Sequence, residues 1–154
     1  MVVPARAAVA AAALVLGVGY VVKLREHSDD YTRSASIQAH QLRGLRALVP
    51  DPPPGTTIYL RQRTPVTAPG ISTFSWRWDL SGATKVTYGD GSVSGYPILP
   101  GTSLVCEPDA IRPQGNGLEA YSSPYGHAIL VDVDNNRVLG ADDRAACRRS
   151  VSAF

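Results

Sequence analysis

The sequence predicts an α/β fold of the α+β kind, in which an N-terminal transmembrane helix precedes a small domain with two helices packed on a short-stranded sheet. Three observations predict it: an uncharged run at Ala7–Val22, later stretches with helical periodicity, and short β-branched runs bounded by Pro and Gly. They divide the chain into a transmembrane anchor at residues 1–25, an amphipathic helix at residues 26–50 and a small extracytoplasmic α/β domain at residues 51–154.

The N-terminal run is short for a membrane span. Its sixteen residues would form a helix of ~24 Å, against a hydrocarbon core of ~30 Å. The flanking residues would have to contribute, with Arg6 and Lys23 reaching toward the two surfaces. Two alternatives are a cleavable signal peptide, with Gly17–Gly19 as the cleavage region, and a helix buried inside a globular protein. We favour the anchor.

Two helices are predicted after this run. Ser28, followed by two aspartates, is a typical N-cap; the alternative is that this helix continues the membrane helix with a bend near Ser28. The helix should end by Val49 because Pro50 disfavours a helical residue before it. A second helix is predicted over residues 72–88, where Gly89 would end it.

The strands are predicted from short apolar runs. Residues 128–131 and Val133 give the strongest signal, and the following asparagines tolerate the positive φ of a two-residue hairpin turn. The predicted strands are Thr56–Arg61, Ser103–Cys106, Tyr125–Asp134 and Arg137–Gly140. No structure is predicted from Ala141 onward.

The chain contains two cysteines, Cys106 and Cys147. A single pair is compatible with one disulfide in an oxidising compartment. Two separate buried thiols would satisfy the sequence equally well. Neither cysteine belongs to a CxxC pair, so the sequence does not predict zinc binding or thioredoxin-type chemistry.

No catalytic motif is found in the sequence. A net charge of +2 does not indicate a nucleic-acid surface. The segment Gly91–Gly95 does not place a serine where a GxSxG nucleophile would need it. His27, His40 and His127 lack the spacing of metal ligands, and we interpret His127 as structural. We therefore expect no catalytic residue, no cofactor and no metal.

The segment from Asp132 to Asp143 resembles a calcium loop in part. Asp132, Asp134 and Asn136 alternate as in an EF-hand, but Arg137 stands where that loop requires glycine, and a strand replaces the flanking helix. We interpret this segment as a hairpin turn.

Trp76 and Trp78 are the most informative residues outside the predicted core. Two tryptophans so close together would suit an aromatic surface that contacts a sugar or a lipid headgroup. The alternative is that one lies in the core and the other at a membrane interface.

One family resemblance is carried by the order of segments along the chain. An alanine- and leucine-rich membrane helix is followed by SASIQAHQLRGLRALVPD, by PPPGTTIYL, by a helix ending in VTYGD and by a late strand–turn–strand. This order resembles the C-terminal, post-membrane segment of bacterial multi-span glycosyltransferase-like membrane proteins, which are related to dolichyl-phosphate-mannose mannosyltransferases. The acidic catalytic loop of that family lies between earlier membrane helices, so no catalytic residue is carried over.

The resemblance implies a single-pass protein of the cytoplasmic membrane whose domain lies outside the cytoplasm, although the positive-inside rule favours the opposite orientation. It implies a non-catalytic role in glycan or cell-envelope assembly. The expected partners are the lipid bilayer and either other membrane proteins or a glycan or lipid-linked sugar, and not nucleic acid. The alternatives are a stand-alone envelope enzyme or ligand-binding module, and a gene fragment without independent activity.

Overall fold

The computed structural model describes residues 5–115 and 121–154, with side chains from Ala13 onward. Within these residues the chain has an α+β fold with three helices and nine strands. The helices are α1 (Ala5–Leu48), α2 (Arg77–Tyr88) and α3 (Arg144–Ala153). The strands are β1 (Thr57–Arg61), β2 (Val66–Ala68), β3 (Ile71–Ser72), β4 (Ser94–Ile98), β5 (Ser103–Cys106), β6 (Ala110–Gln114), β7 (Ser123–Pro124), β8 (Ala128–Asp132) and β9 (Arg137–Gly140).

The main sheet has the strand order β4-β1-β8-β9. The strand β1 lies between two parallel neighbours, so that Tyr59 is in register with Tyr96 on one side and with Leu130 on the other. The strand β9 runs antiparallel to β8. The connection from β1 to β4 passes through α2, which forms a parallel βαβ unit.

Each face of the main sheet has its own core. On one face, Ile58 and Leu60 pack with Leu45 of α1 and Leu80 of α2, and all four side chains are fully buried. Because side chains alternate along a strand, Tyr59 points to the opposite face. That face is covered by the three-stranded sheet β5-β6-β7 and by α3.

The helix α1 contains the predicted membrane anchor but does not have the properties of a membrane span. Among the residues that the structure describes, no helix combines the length and the apolar character that a bilayer crossing requires. The uncharged run Ala7–Val22, predicted to be the anchor, has sixteen residues, which at ~1.5 Å per residue cover ~24 Å and fall short of a ~30 Å hydrocarbon core. Lys23, Arg25 and Glu26 follow directly. The prediction of a transmembrane, single-pass membrane protein was therefore wrong. The first residues of the predicted anchor lie outside the part of the chain whose side chains are described.

The predicted helix start at Ser28 was also wrong, because α1 continues through it without a break. The hydroxyl of Thr32 donates to the carbonyl of Ser28, four residues earlier in the same helix. Only the C-terminal part of α1 packs closely on the domain, where Leu45 and Val49 beyond its last turn are buried. There Gly44 allows close contact, since a Cβ on it would lie 2.3 Å from a methyl carbon of Val133.

Candidate functional site

The carboxyl ends of β1 and β4 border a crevice in the main sheet. After β1 the chain moves to the face that carries α2, and after β4 it moves to the opposite face, which carries β5, β6 and β7. Such a reversal between neighbouring parallel strands leaves a gap at their carboxyl ends, where open α/β sheets bind ligands. The topology therefore directs the search for a site to this edge.

A cleft of about 630 Å³ occupies this crevice. One wall is the segment after β1, the other is the turn after β4, and the end of α3 closes the cleft. Its lining residues are Arg61, Gln62, Arg63, Ile98, Leu99, Pro100, Gly101, Thr102, Ser103, Leu104, Val151 and Phe154. The described lining residues include two arginines and no carboxylate side chain, so this part of the cleft offers cationic groups beside an apolar wall.

Asp132 at the end of β8 holds both arginines. Its side chain is only 3% exposed. One carboxylate oxygen, Oδ2, accepts hydrogen bonds from Arg61 Nη1 at 3.3 Å and from Arg63 Nη2 at 3.1 Å. Asn135 donates its side-chain amide to the same oxygen at 2.7 Å and its backbone N–H to Oδ1 at 3.1 Å.

These contacts decide what Asp132 can do chemically. Burial alone would raise the pKa of Asp132, but the hydrogen bonds from the two arginines and from Asn135 hold it below its ordinary value. A carboxylate that stays ionised and already accepts four hydrogen bonds is poorly suited to exchange protons at neutral pH. Asp132 therefore positions the arginines.

The two arginines differ in their remaining hydrogen-bond capacity. Arg63 also forms an ion pair with Asp134, whose Oδ2 lies 3.3 Å from Arg63 Nε, so Arg63 lies between two carboxylates. In the part of the chain that the structure describes, Arg61 pairs with no second carboxylate, and its guanidinium carbon lies 5.2 Å from the centre of the Phe154 ring. Among the described residues, no hydrogen bond uses Nε or Nη2 of Arg61. Arg61 is therefore the better placed of the two to bind an anion.

A second pocket of about 490 Å³ adjoins the first at Arg63. His40 of α1 and Asp134 line it, with His40 Nε2 3.8 Å from Asp134 Oδ1. The other candidate histidine, His127, precedes β8 at its amino end. With ~3.3 Å per strand residue, His127 lies well over 10 Å along β8 from Asp132, so the two do not share a site.

The predicted hairpin after β8 forms, although its loop is longer than expected. Asp132 pairs with Arg137, so four residues form the turn, and Asn136 adopts a φ of 52°. Both aspartates of the partial calcium motif are engaged by arginine. In the described ranges, no group of three or more His, Cys, Asp or Glu side chains is arranged to hold a metal ion.

The structure joins Cys106 and Cys147 in a disulfide with a Cα–Cα distance of 6.0 Å, which links β5 to α3.

The two tryptophans lie in different surroundings. Trp76, just before α2, lines a groove with Pro65 and Val66. Trp78, in the first turn of α2, is 74% exposed and is not part of that groove.

Comparison with known proteins identifies no relative of this chain. No known protein family, no curated protein and no solved structure matches the chain. No family evidence therefore supports a glycosyltransferase-like protein, and the resemblance noted from the sequence stays a prediction.

The sequence did not identify Arg61 and Arg63 as site residues. One signal was available, because the pattern Arg-Gln-Arg directly follows a predicted buried strand. This pattern indicates a site only when it is known that the strand has a parallel neighbour on each side, because a site at this edge is built from the ends of several strands.

Proposed function

We propose that this chain is a non-catalytic binding domain that works outside the cytoplasm in glycan or cell-envelope assembly, and that its ligand carries a phosphate monoester. The proposed binding site is the cleft between β1 and β4. Arg61 is the principal contact with the phosphate, and Arg63 lies beside it.

The observation that carries the proposal is the position of Arg61 at the sheet's topological switch point. Its guanidinium is held by a buried carboxylate and faces a cleft whose described lining residues include no acidic side chain. No hydrogen bond between described residues uses its Nε or Nη2. A guanidinium whose orientation is fixed loses little side-chain entropy when it binds. Phosphate oxygens match its planar donor geometry.

The disulfide supports the proposed compartment. Disulfides persist in oxidising compartments and are rare where cellular thiols are kept reduced. The Cys106–Cys147 bond spans most of the C-terminal half of the domain and is integrated in its core, where Cys147 is fully buried. A protein that relies on such a bond is expected to work outside the cytoplasm.

The proposal is tested by titrating the ¹⁵N-labelled full chain with ethyl phosphate and recording amide chemical shifts. We expect saturable shifts in the segments 61–63 and 98–102, and a Kd that rises with NaCl concentration because the attraction is electrostatic. Arg61→Gln removes the charge and keeps a polar side chain. A hydrogen bond to a charged group contributes about 1.5–3 kcal/mol, so affinity should fall at least about tenfold.

The matched control is Arg112→Gln. Arg112 is also a partly exposed arginine paired with a carboxylate, Glu107, but it does not line the cleft. This variant should bind ethyl phosphate as the unmodified chain does. Equal affinities of the Arg61→Gln and Arg112→Gln variants, or no saturable shift at all, would overturn the proposal.

A further inference from the structure

An apolar groove adjoins the arginine cleft at Leu99. It has a volume of about 470 Å³ and shares Leu99 with that cleft, so Leu99 borders both. Its lining residues are Pro65, Val66, Gly70, Ser72, Ser75, Trp76 and Leu99. Two of its large apolar side chains are strongly exposed, Val66 at 53% and Trp76 at 56%.

The groove offers little to a polar ligand. No charged side chain lines it, and the hydroxyl of Ser75 already donates to the carbonyl of Pro65. The carbonyl of Ser72 accepts a hydrogen bond from Ser34 of α1. A hydroxyl-rich occupant such as a sugar ring would find few partners for its hydrogen bonds, whereas an aliphatic chain would cover exposed apolar surface.

We propose that the ligand is an amphiphilic phosphate monoester whose phosphate binds at Arg61 and whose aliphatic chain passes Leu99 and lies against Trp76. The inference rests on the proposed function, because it assigns the body of the ligand whose phosphate the cleft would bind. It is argued from the shared border of the two cavities at Leu99 and from their contrast, since one is cationic and the other is apolar. This arrangement matches a molecule with an anionic head joined to an apolar tail.

The test measures the affinity of the unmodified full chain for ethyl, butyl, hexyl and octyl phosphate, each below its micelle concentration, by isothermal titration calorimetry. Each methylene that enters the groove should tighten binding about fourfold, the ratio that corresponds to ~0.8 kcal/mol per buried CH₂. Binding should stop tightening once the chain exceeds the groove. The heat capacity change should also become more negative as the chain grows, because apolar surface is buried.

Two tryptophan variants locate the chain. Trp76→Ala should weaken octyl phosphate several-fold and leave ethyl phosphate unchanged, and Trp76→Phe should restore most of the loss. Trp78→Ala is the matched control, because Trp78 is an exposed tryptophan two residues away that does not line the groove. It should bind both ligands normally.

The outcomes separate the two proposals. Equal affinities for ethyl and octyl phosphate would overturn the aliphatic-chain assignment and leave the phosphate site standing. Equal effects of Trp76→Ala and Trp78→Ala on octyl phosphate would also overturn it. If none of the four esters binds, the phosphate site and this inference both fall.

Discussion

Removing the Cys106–Cys147 disulfide should cost this domain a large part of its stability. The bond closes a loop with a sequence separation of 41 residues. In the chain-entropy treatment, a loop of this length contributes about 4 kcal/mol by restricting the unfolded chain. With a urea dependence of about 2 kcal/mol per molar, the unfolding midpoint should fall by roughly 2 M.

The assay is urea unfolding followed by far-ultraviolet circular dichroism, for the oxidised chain, for the reduced chain and for the double variant Cys106→Ala/Cys147→Ala. The reduced chain and the double variant should unfold at similar urea concentrations, and reductant should not shift the midpoint of the variant. Mass spectrometry confirms the oxidation state of each sample. A midpoint shift of less than about 0.5 M on reduction, corresponding to about 1 kcal/mol, would refute the reasoning.

Two further predictions concern packing and charge. Gly95→Ala should lower the free energy of unfolding by about 1–3 kcal/mol, because the added Cβ would lie 2.6 Å from Leu80 Cγ. Gly82→Ala should raise the free energy of unfolding by about 0.5–1 kcal/mol, because nothing lies within 4 Å of its added Cβ and alanine favours a helix. Urea unfolding measures both variants, and equal effects would contradict the packing argument. Asp132→Asn should cost about 1–3 kcal/mol at neutral pH. Because folding lowers the pKa of Asp132, this carboxylate stabilises the fold above about pH 4, and the stabilisation is lost as the pH falls through the pKa of the folded state. Between about pH 5 and pH 2, the free energy of unfolding should therefore fall less for Asp132→Asn than for the unmodified chain. Parallel curves for the two proteins would contradict this prediction.

Two of the strands that the sequence predicted, β1 and β8, are buried by their own apolar side chains. Ile58 and Leu60 in β1, and Leu130 and Val131 in β8, are fully buried, and both strands are confirmed. The strand β4 was not predicted because Gly95 and Pro97 both disfavour strands. The structure explains each exception: Gly95 lets α2 approach the sheet closely, and Pro97 is tolerated because β4 is an edge strand.

The helix α3 was not predicted because its apolar stripe is short, consisting of Cys147, Val151 and Phe154, which pack on the core. Only Cys147 and Ser150 are buried in it, and Asp143 caps it by accepting a hydrogen bond from the Ala146 N–H. Its position depends on the disulfide and on the hydroxyl of Ser150, which donates to the carbonyl of Gly140. Local periodicity does not show contacts of this kind.

The site was beyond local reasoning for a similar reason. Arg61 and Asp132 are far apart in sequence and meet because β1 and β8 are parallel neighbours in register. The sequence predicted both strands, but it contained no information on their order or direction. The predicted role of Trp76 and Trp78 as a shared aromatic surface stays a prediction, although the structure places only Trp76 in a groove.

The central position of β1 has a consequence for how the chain folds. Both partners of β1 come later in the sequence, with Thr57 pairing with Ser94 on one side and with Ala128 on the other. The hydrogen-bonding groups of β1 that pair with β8 therefore stay unpaired during synthesis until most of the domain has been made. Long-range parallel pairings of this kind form slowly, and an unpaired apolar strand is prone to aggregate while it waits. We expect folding to be limited by the arrival of β8, and to benefit from any factor that shields β1 until then.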